Sequence, residues 1–152
     1  MIKLGIGFLL CLASITNAWS QDCTSRLQAI LDHSGYQVRV LKPCESWMLT
    51  EVQTVPRGDG ITGLLLVGVQ DDIVVIGTVV RTKAKLELTV DLSRKLLQLN
   101  HEIQWIKIGI DHDGDLFVRE EYRLDHLTPD AFNDAITDVA NASKEVAALF
   151  DK

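Results

Sequence analysis

The sequence predicts an α+β fold: helix, strands, helix, hairpin, helix, with the helices packed on a mainly antiparallel sheet. Three observations carry this reading. The Val- and Ile-rich runs cluster in the first half instead of alternating one by one with helical segments. An Asp-Gly turn late in the chain separates two segments of period two. The C-terminal stretch is amphipathic at helical period and carries its own N-terminal start signals.

The first 20 residues stand apart from that fold. Lys3 gives a short positive region, Leu4 to Ile15 is apolar and uncharged, and Ala18-Trp19-Ser20 places small residues for a cut before Gln21. A cut after Ala18 is the second choice. The apolar run is shorter than the roughly 20 residues needed to span a bilayer core, and no other stretch is long enough. Residues 1–20 are therefore expected to be a cleaved signal peptide. Residues 21–152 are expected to form a single α+β domain in the periplasm or outside the cell, with no stable membrane span.

Cysteine usage fits export. Cys11 would leave with the leader, so Cys23 and Cys44 remain. A pair in an oxidising compartment most simply forms one disulfide. Closing a loop of about 20 residues contributes roughly 3 kcal/mol in the chain-entropy model. A redox pair would more typically read C-x-x-C, and no third ligand stands at metal spacing.

Within the mature chain, residues 24–34 place Leu27, Ile30 and Leu31 on one helical face, and Gly35 stops that helix. Tyr36 to Val40 alternates as a half-buried strand until Pro43 ends it. Ser46 to Gln53 reads as a second strand, and Pro56 to Gly60 as a loop. Leu64–Val69 and Ile73–Val80 are apolar on both faces, as strands near the middle of a sheet are. If helices cover one face only, a second subunit or another partner would bury the other. Thr89 to Asn100 carries Leu92, Leu96 and Leu99 at helical spacing.

Ile106, Ile108 and Ile110 then alternate into Asp111-His112-Asp113-Gly114-Asp115, and Leu116, Val118, Glu120, Tyr122 and Leu124 alternate out of it. In the last helix Thr128 suits the N-cap, Pro129 the first helical position and Asp130 the dipole. Leu127 and Phe132 are placed for a hydrophobic staple. Phe132, Ile136, Val139, Val146, Leu149 and Phe150 form its apolar stripe.

Chemistry is harder to find. Formal net charge is −6. Without Lys3 the balance is 14 basic against 21 acidic residues, or −7, which disfavours nucleic acid as a partner. Three alternating carboxylates in Asp111–Asp115 suit a divalent cation, but counted from Asp111 the glycine falls at position four and Tyr122 at twelve, unlike an EF-hand. A solvated hairpin tip fits better. His33, His101, His112 and His126 match neither H-E-x-x-H nor an i, i+4 pair, and no G-x-S-x-G elbow occurs. Arg81, Lys83 and Lys85 alternate at a strand end, with Arg94-Lys95 on the next helix, and could face an acidic peptide or simply solvent. Asn141-Ala142-Ser143 matches a glycosylation sequon inside a helix. Trp47, Trp105 and Tyr36 are expected mainly to fill core. No catalytic residue, metal site or cofactor is assigned.

The C-terminal half resembles the YbjN-like family, whose members adopt the fold of type III secretion chaperones. Leu96–Asn100, Ile106–Asp111, Asp113–Leu116, Arg123-Leu124 and Leu127–Pro129 carry the likeness, joined by Leu31–Val38 near the start. The resemblance implies helix, three strands, helix, two strands, helix, whereas four candidate strands precede the second helix here. It also implies a homodimer that binds extended segments of a protein or peptide client, without any site motif to transfer. A leader and a cysteine pair depart from a cytoplasmic chaperone. The reading is an exported, non-catalytic, chaperone-like binding module, with a small-ligand or metal-binding envelope protein as the alternative.

Overall fold

Residues 26–43, 45–56 and 62–151 are described by the computed structural model. The expected leader and both Cys23 and Cys44 lie outside these residues, as does most of the Pro56–Gly60 loop.

Residues 26–33, α1, are helical and bury Leu27, Ile30 and Leu31. Gly35 follows at φ +76, a conformation that glycine adopts without steric cost. Four strands come next: β1 (Val38–Lys42), β2 (Ser46–Gln53), β3 (Leu64–Gln70) and β4 (Ile73–Arg81). A 3-10 turn at Lys83–Lys85 leads into α2 (Val90–Glu102), followed by the hairpin β5 (Lys107–Ile110) and β6 (Leu116–Arg123), and then α3 (Pro129–Ala148). Four strands, not three, thus precede α2.

The six strands lie in the order β1-β2-β3-β4-β6-β5, and every named pairing is antiparallel. β6 docks on β4, leaving β5 at the margin. Gln70 pairs with Ile73 across a two-residue turn in which Asp71 takes φ +56, a value aspartate tolerates.

Register divides the sheet cleanly. Trp47 pairs with Val67, Val67 with Ile76, and Ile76 with Glu120, so these four side chains share a face. That face meets α1 and α3 in one core containing Leu49, Leu65, Val74, Leu116, Val118, Phe132, Ile136, Val139 and Val146. Thr54 and Thr78, both buried, satisfy each other through a 3.0 Å hydroxyl pair.

The opposite face holds Met48, Leu64, Leu66, Ile73, Val75 and Phe117, all half-buried and outside the core. Over β4, β6 and β5 the protein covers this face with its own side chains. Phe117 lies against Gly109, Arg119 against Gly77, and the Arg119 guanidinium sits 4.6 Å from the centre of the Phe117 ring. Arg119 and Lys107 both pair with Glu121. The two glycines make room for this layer: a Cβ on Gly77 would fall 2.8 Å from Arg119 Cβ.

α3 is built as its sequence promises. Thr128 Oγ1 accepts from the Ala131 amide at 3.2 Å, Pro129 opens the helix, and Leu127 and Phe132 are both buried. α2 differs. Thr89 caps it through the Leu92 amide, yet Leu96 is its one buried residue. Leu92 and Leu99 pack on the core edge, while Val90 and Leu97 face away from it.

Candidate functional site

The four histidines stay on separate elements and on the surface. His33 Nδ1 lies 2.8 Å from the Ala29 carbonyl, His101 is in the last turn of α2, His112 neighbours Asp113 at the hairpin tip, and His126 neighbours Asp125. Among the described residues no three His, Cys, Asp or Glu side chains gather around a common point.

The Asp111–Asp115 turn engages its carboxylates locally. Asp111 Oδ1 accepts from the amides of Asp113 and Asp115 at 3.0 and 2.9 Å, with Gly114 at φ +91. Asp115 Oδ1 accepts from the Lys83 amide at 2.7 Å, tying the hairpin tip to the chain leaving β4. These are the contacts of a turn organised by Asx hydrogen bonds.

Two aromatic and basic expectations need correction. Trp105 does not fill core: it is 80% exposed at φ +66 in the turn between α2 and β5. A Cβ-bearing residue rarely adopts that backbone, and here it turns the indole outward. Nor do Arg81, Lys83 and Lys85 alternate along a strand end. β4 stops at Arg81 because the Lys83 amide turns to Asp115, and Lys83–Lys85 winds into a 3-10 turn with the Lys83 side chain along Gly114. Arg81 instead stacks on Phe150 at 5.2 Å and pairs with Asp151 at 3.6 Å.

An exposed apolar patch lies on α2 and the turn before it. Leu88, Val90 and Leu97 are 46, 78 and 71% exposed. Together with Thr89, Ser93 and Arg94 they line a shallow groove of about 430 Å³ along α2. Val90 and Leu97 stand seven residues apart and therefore share one helix face. That signal was present in the sequence but was masked by the stronger stripe of Leu92, Leu96 and Leu99.

The two sheet margins are unequal. On β5, the Ile108 amide donates to Asn100 Oδ1 of α2 at 2.7 Å, so a side chain occupies that edge. β1 pairs only with β2 among the described strands, and its Val40 and Leu41 are 53 and 48% exposed.

One buried charged residue carries no motif in the sequence. Glu120 is 3% exposed on the helix-covered face, where it follows Leu116 and Val118 in the apolar phase of β6. Tyr122 donates its hydroxyl to Glu120 Oε1 at 2.5 Å, and Oε2 has no partner. Burial raises the Glu120 pKa. The Tyr122 hydrogen bond opposes that rise, and Asp138 and Asp134 of α3 reinforce it. Glu121, on the open face, is held lower by its Lys107 hydrogen bond.

No helix among the described residues is long and apolar enough to cross a membrane. Residues 24–152 match the model of YbjN, described as "Putative bacterial sensory transduction regulator". The chain belongs to the YbjN family. No protein of curated function matches it. A chain of the heterodimeric ExoU–SpcU complex, from the type III secretion system of Pseudomonas aeruginosa, is similar at TM-score 0.59 and 15% identity, over 80% of this chain and 94% of that one. YbjN from E. coli gives 0.59 and 14%, over 80% and 89%. The structure of the Yersinia pestis type III secretion chaperone SycH with a fragment of YscM2 gives 0.54 and 9%, over 82% and 98%. This YbjN-family chain therefore shares the α+β fold of those structures, one of them a type III secretion chaperone in complex with a fragment of YscM2.

Proposed function

We propose that this YbjN-family protein is an exported, non-catalytic binding module that pairs with itself and holds an extended segment of another protein. The observation that carries the reading is the outward ridge of α2: a capped helix that buries one leucine and presents Val90 and Leu97 to solvent. Isolated apolar residues are ordinary on a surface, but a groove lined by three of them suits an interface. A two-fold pairing would set the ridge against its own copy. The client would use the β1 edge, where main-chain groups accept an added strand, and the adjoining half-buried Met48 and Leu66. The like fold in the heterodimeric ExoU–SpcU complex and in the chaperone SycH with its YscM2 fragment supports a binding role. The leader-like first 20 residues support export, with Cys23 and Cys44 bridged after it.

The test is affinity capture from the cell envelope after brief in-cell cross-linking. One heterologous protein at near-stoichiometric yield, lost when bulky charge is placed on β1, is the expected result. Recovery of the protein cross-linked to itself alone leaves a homodimer without a client and overturns the chaperone-like half. N-terminal sequencing should begin at Gln21, and an intact Met1 in the envelope fraction overturns cleavage. Intact mass should fall by about two hydrogens relative to the reduced chain.

A further inference from the structure

We propose that Glu120 is a proton-held latch: its neutral carboxyl, enclosed between β6 and α3, keeps α3 seated on the sheet, and its ionisation loosens that helix. This regulation is independent of what the protein binds.

The geometry leaves an ion at this position poorly served. Glu120 lies directly opposite Ile76 on β4, beside Val118 on its own strand, in the face that α3 covers. One oxygen receives the Tyr122 hydroxyl and the other receives nothing. From α3, the charged groups bearing on it are Asp134 and Asp138, both acidic. From β6 the titratable neighbour is Tyr122, whose own ionisation is pushed up by burial and by Glu120. From β4 the facing residues, Val74, Ile76 and Thr78, carry no charge. A neutral carboxyl in such a place lacks one hydrogen bond. A carboxylate lacks solvation, a cation and a second donor, and faces two like charges.

The sign follows from linkage. Glu120 binds its proton more tightly in the folded chain than in the unfolded one. Its contribution is therefore fully present below the ordinary glutamate pKa and is lost as pH rises through the raised, folded value. Nothing else in α3 is needed to make the response directional. The helix packs across β4 and β6, so a charge generated beneath it opposes its seating.

Two readouts test the latch on the whole protein. In carboxyl-labelled NMR, the Glu120 resonance, assigned through its own backbone correlations, should titrate above the ordinary glutamate range. Asp138→Asn should move that midpoint down by removing a like charge. Tyr122→Phe should move it up by removing the donor that favours the ion. In hydrogen exchange corrected for intrinsic rate, α3 amides should lose protection as pH climbs from the ordinary glutamate value to the midpoint. The loss should reach up to about tenfold for each pH unit climbed. Glu120→Gln should hold protection constant. A midpoint at or below the ordinary range overturns the proposal, as does an α3 response that persists unchanged in Glu120→Gln. If that variant does not fold, the opposite displacements of the midpoint in Asp138→Asn and Tyr122→Phe decide the matter, and displacements of one sign overturn it.

Discussion

Truncating Leu97 separates the surface of α2 from its stability. Leu97→Ala removes three carbons, and complete burial of each contributes about 0.8 kcal/mol. With 71% of the residue exposed, the folded monomer has claimed less than a third of that value. The remainder, about 1.7 kcal/mol, is available to a partner. In a two-fold pair the residue counts twice, so about 3.4 kcal/mol should vanish from the association, roughly a 300-fold rise in the dimer Kd. Monomer stability should change by less than about 1 kcal/mol, as at other exposed sites. Sedimentation equilibrium across a wide concentration range gives the first quantity, and chemical denaturation of the dilute protein gives the second. A Kd changed less than about threefold would show that α2 is not the self-association surface. A large loss of monomer stability would show that the ridge is structural after all.

Other perturbations address the scaffold. Gly77→Ala should destabilise by about 1–3 kcal/mol in a denaturant titration, because its Cβ meets Arg119 Cβ at 2.8 Å and the Val118 carbonyl at 3.0 Å, with backbone on one side. Thr128→Ala removes the acceptor for the Ala131 amide and should cost about 1 kcal/mol, read as a lower Tm with unchanged helix content. Asp111→Ala strips two amides of their acceptor and should lower Tm by a few degrees. If the turn is structural, calcium should leave the wild-type Tm where it is, and a calcium-dependent rise would restore the metal reading.

The parts of the fold that were legible had local causes. α3 could be read because Thr128, Pro129 and the Phe132–Val146 stripe all specify one helix, and the β5–β6 hairpin because Asp113-Gly114 sits between two period-two segments. The extra strand was countable as well. What could not be read depended on residues far apart in sequence. Nothing near Trp105 says that its backbone will turn to positive φ and carry the indole outward. The 3-10 turn at Lys83 is set by Asp115, 32 positions away. The side-chain layer over part of the open face, Phe117 and Arg119 over Gly109 and Gly77, comes from strands whose adjacency the sequence does not display. Glu120 was visible as a charge in the apolar phase of β6, but its meaning required α3 above it.

The unequal margins of the sheet also limit how far the protein can assemble strand to strand. Polymerisation through strands needs two adhesive ends on each molecule, so that every addition exposes another. Asn100 stoppers one end by holding the Ile108 amide. With β1 the open strand edge among the described residues, a second chain that lines up against it consumes that edge on both molecules and ends strand-to-strand growth at two. A client strand in the same place consumes it equally, so occupancy by cargo and edge-to-edge pairing of two copies exclude each other. Loss of the Asn100 side chain would remove that stop, turning a chain terminator into a monomer competent to extend at both ends.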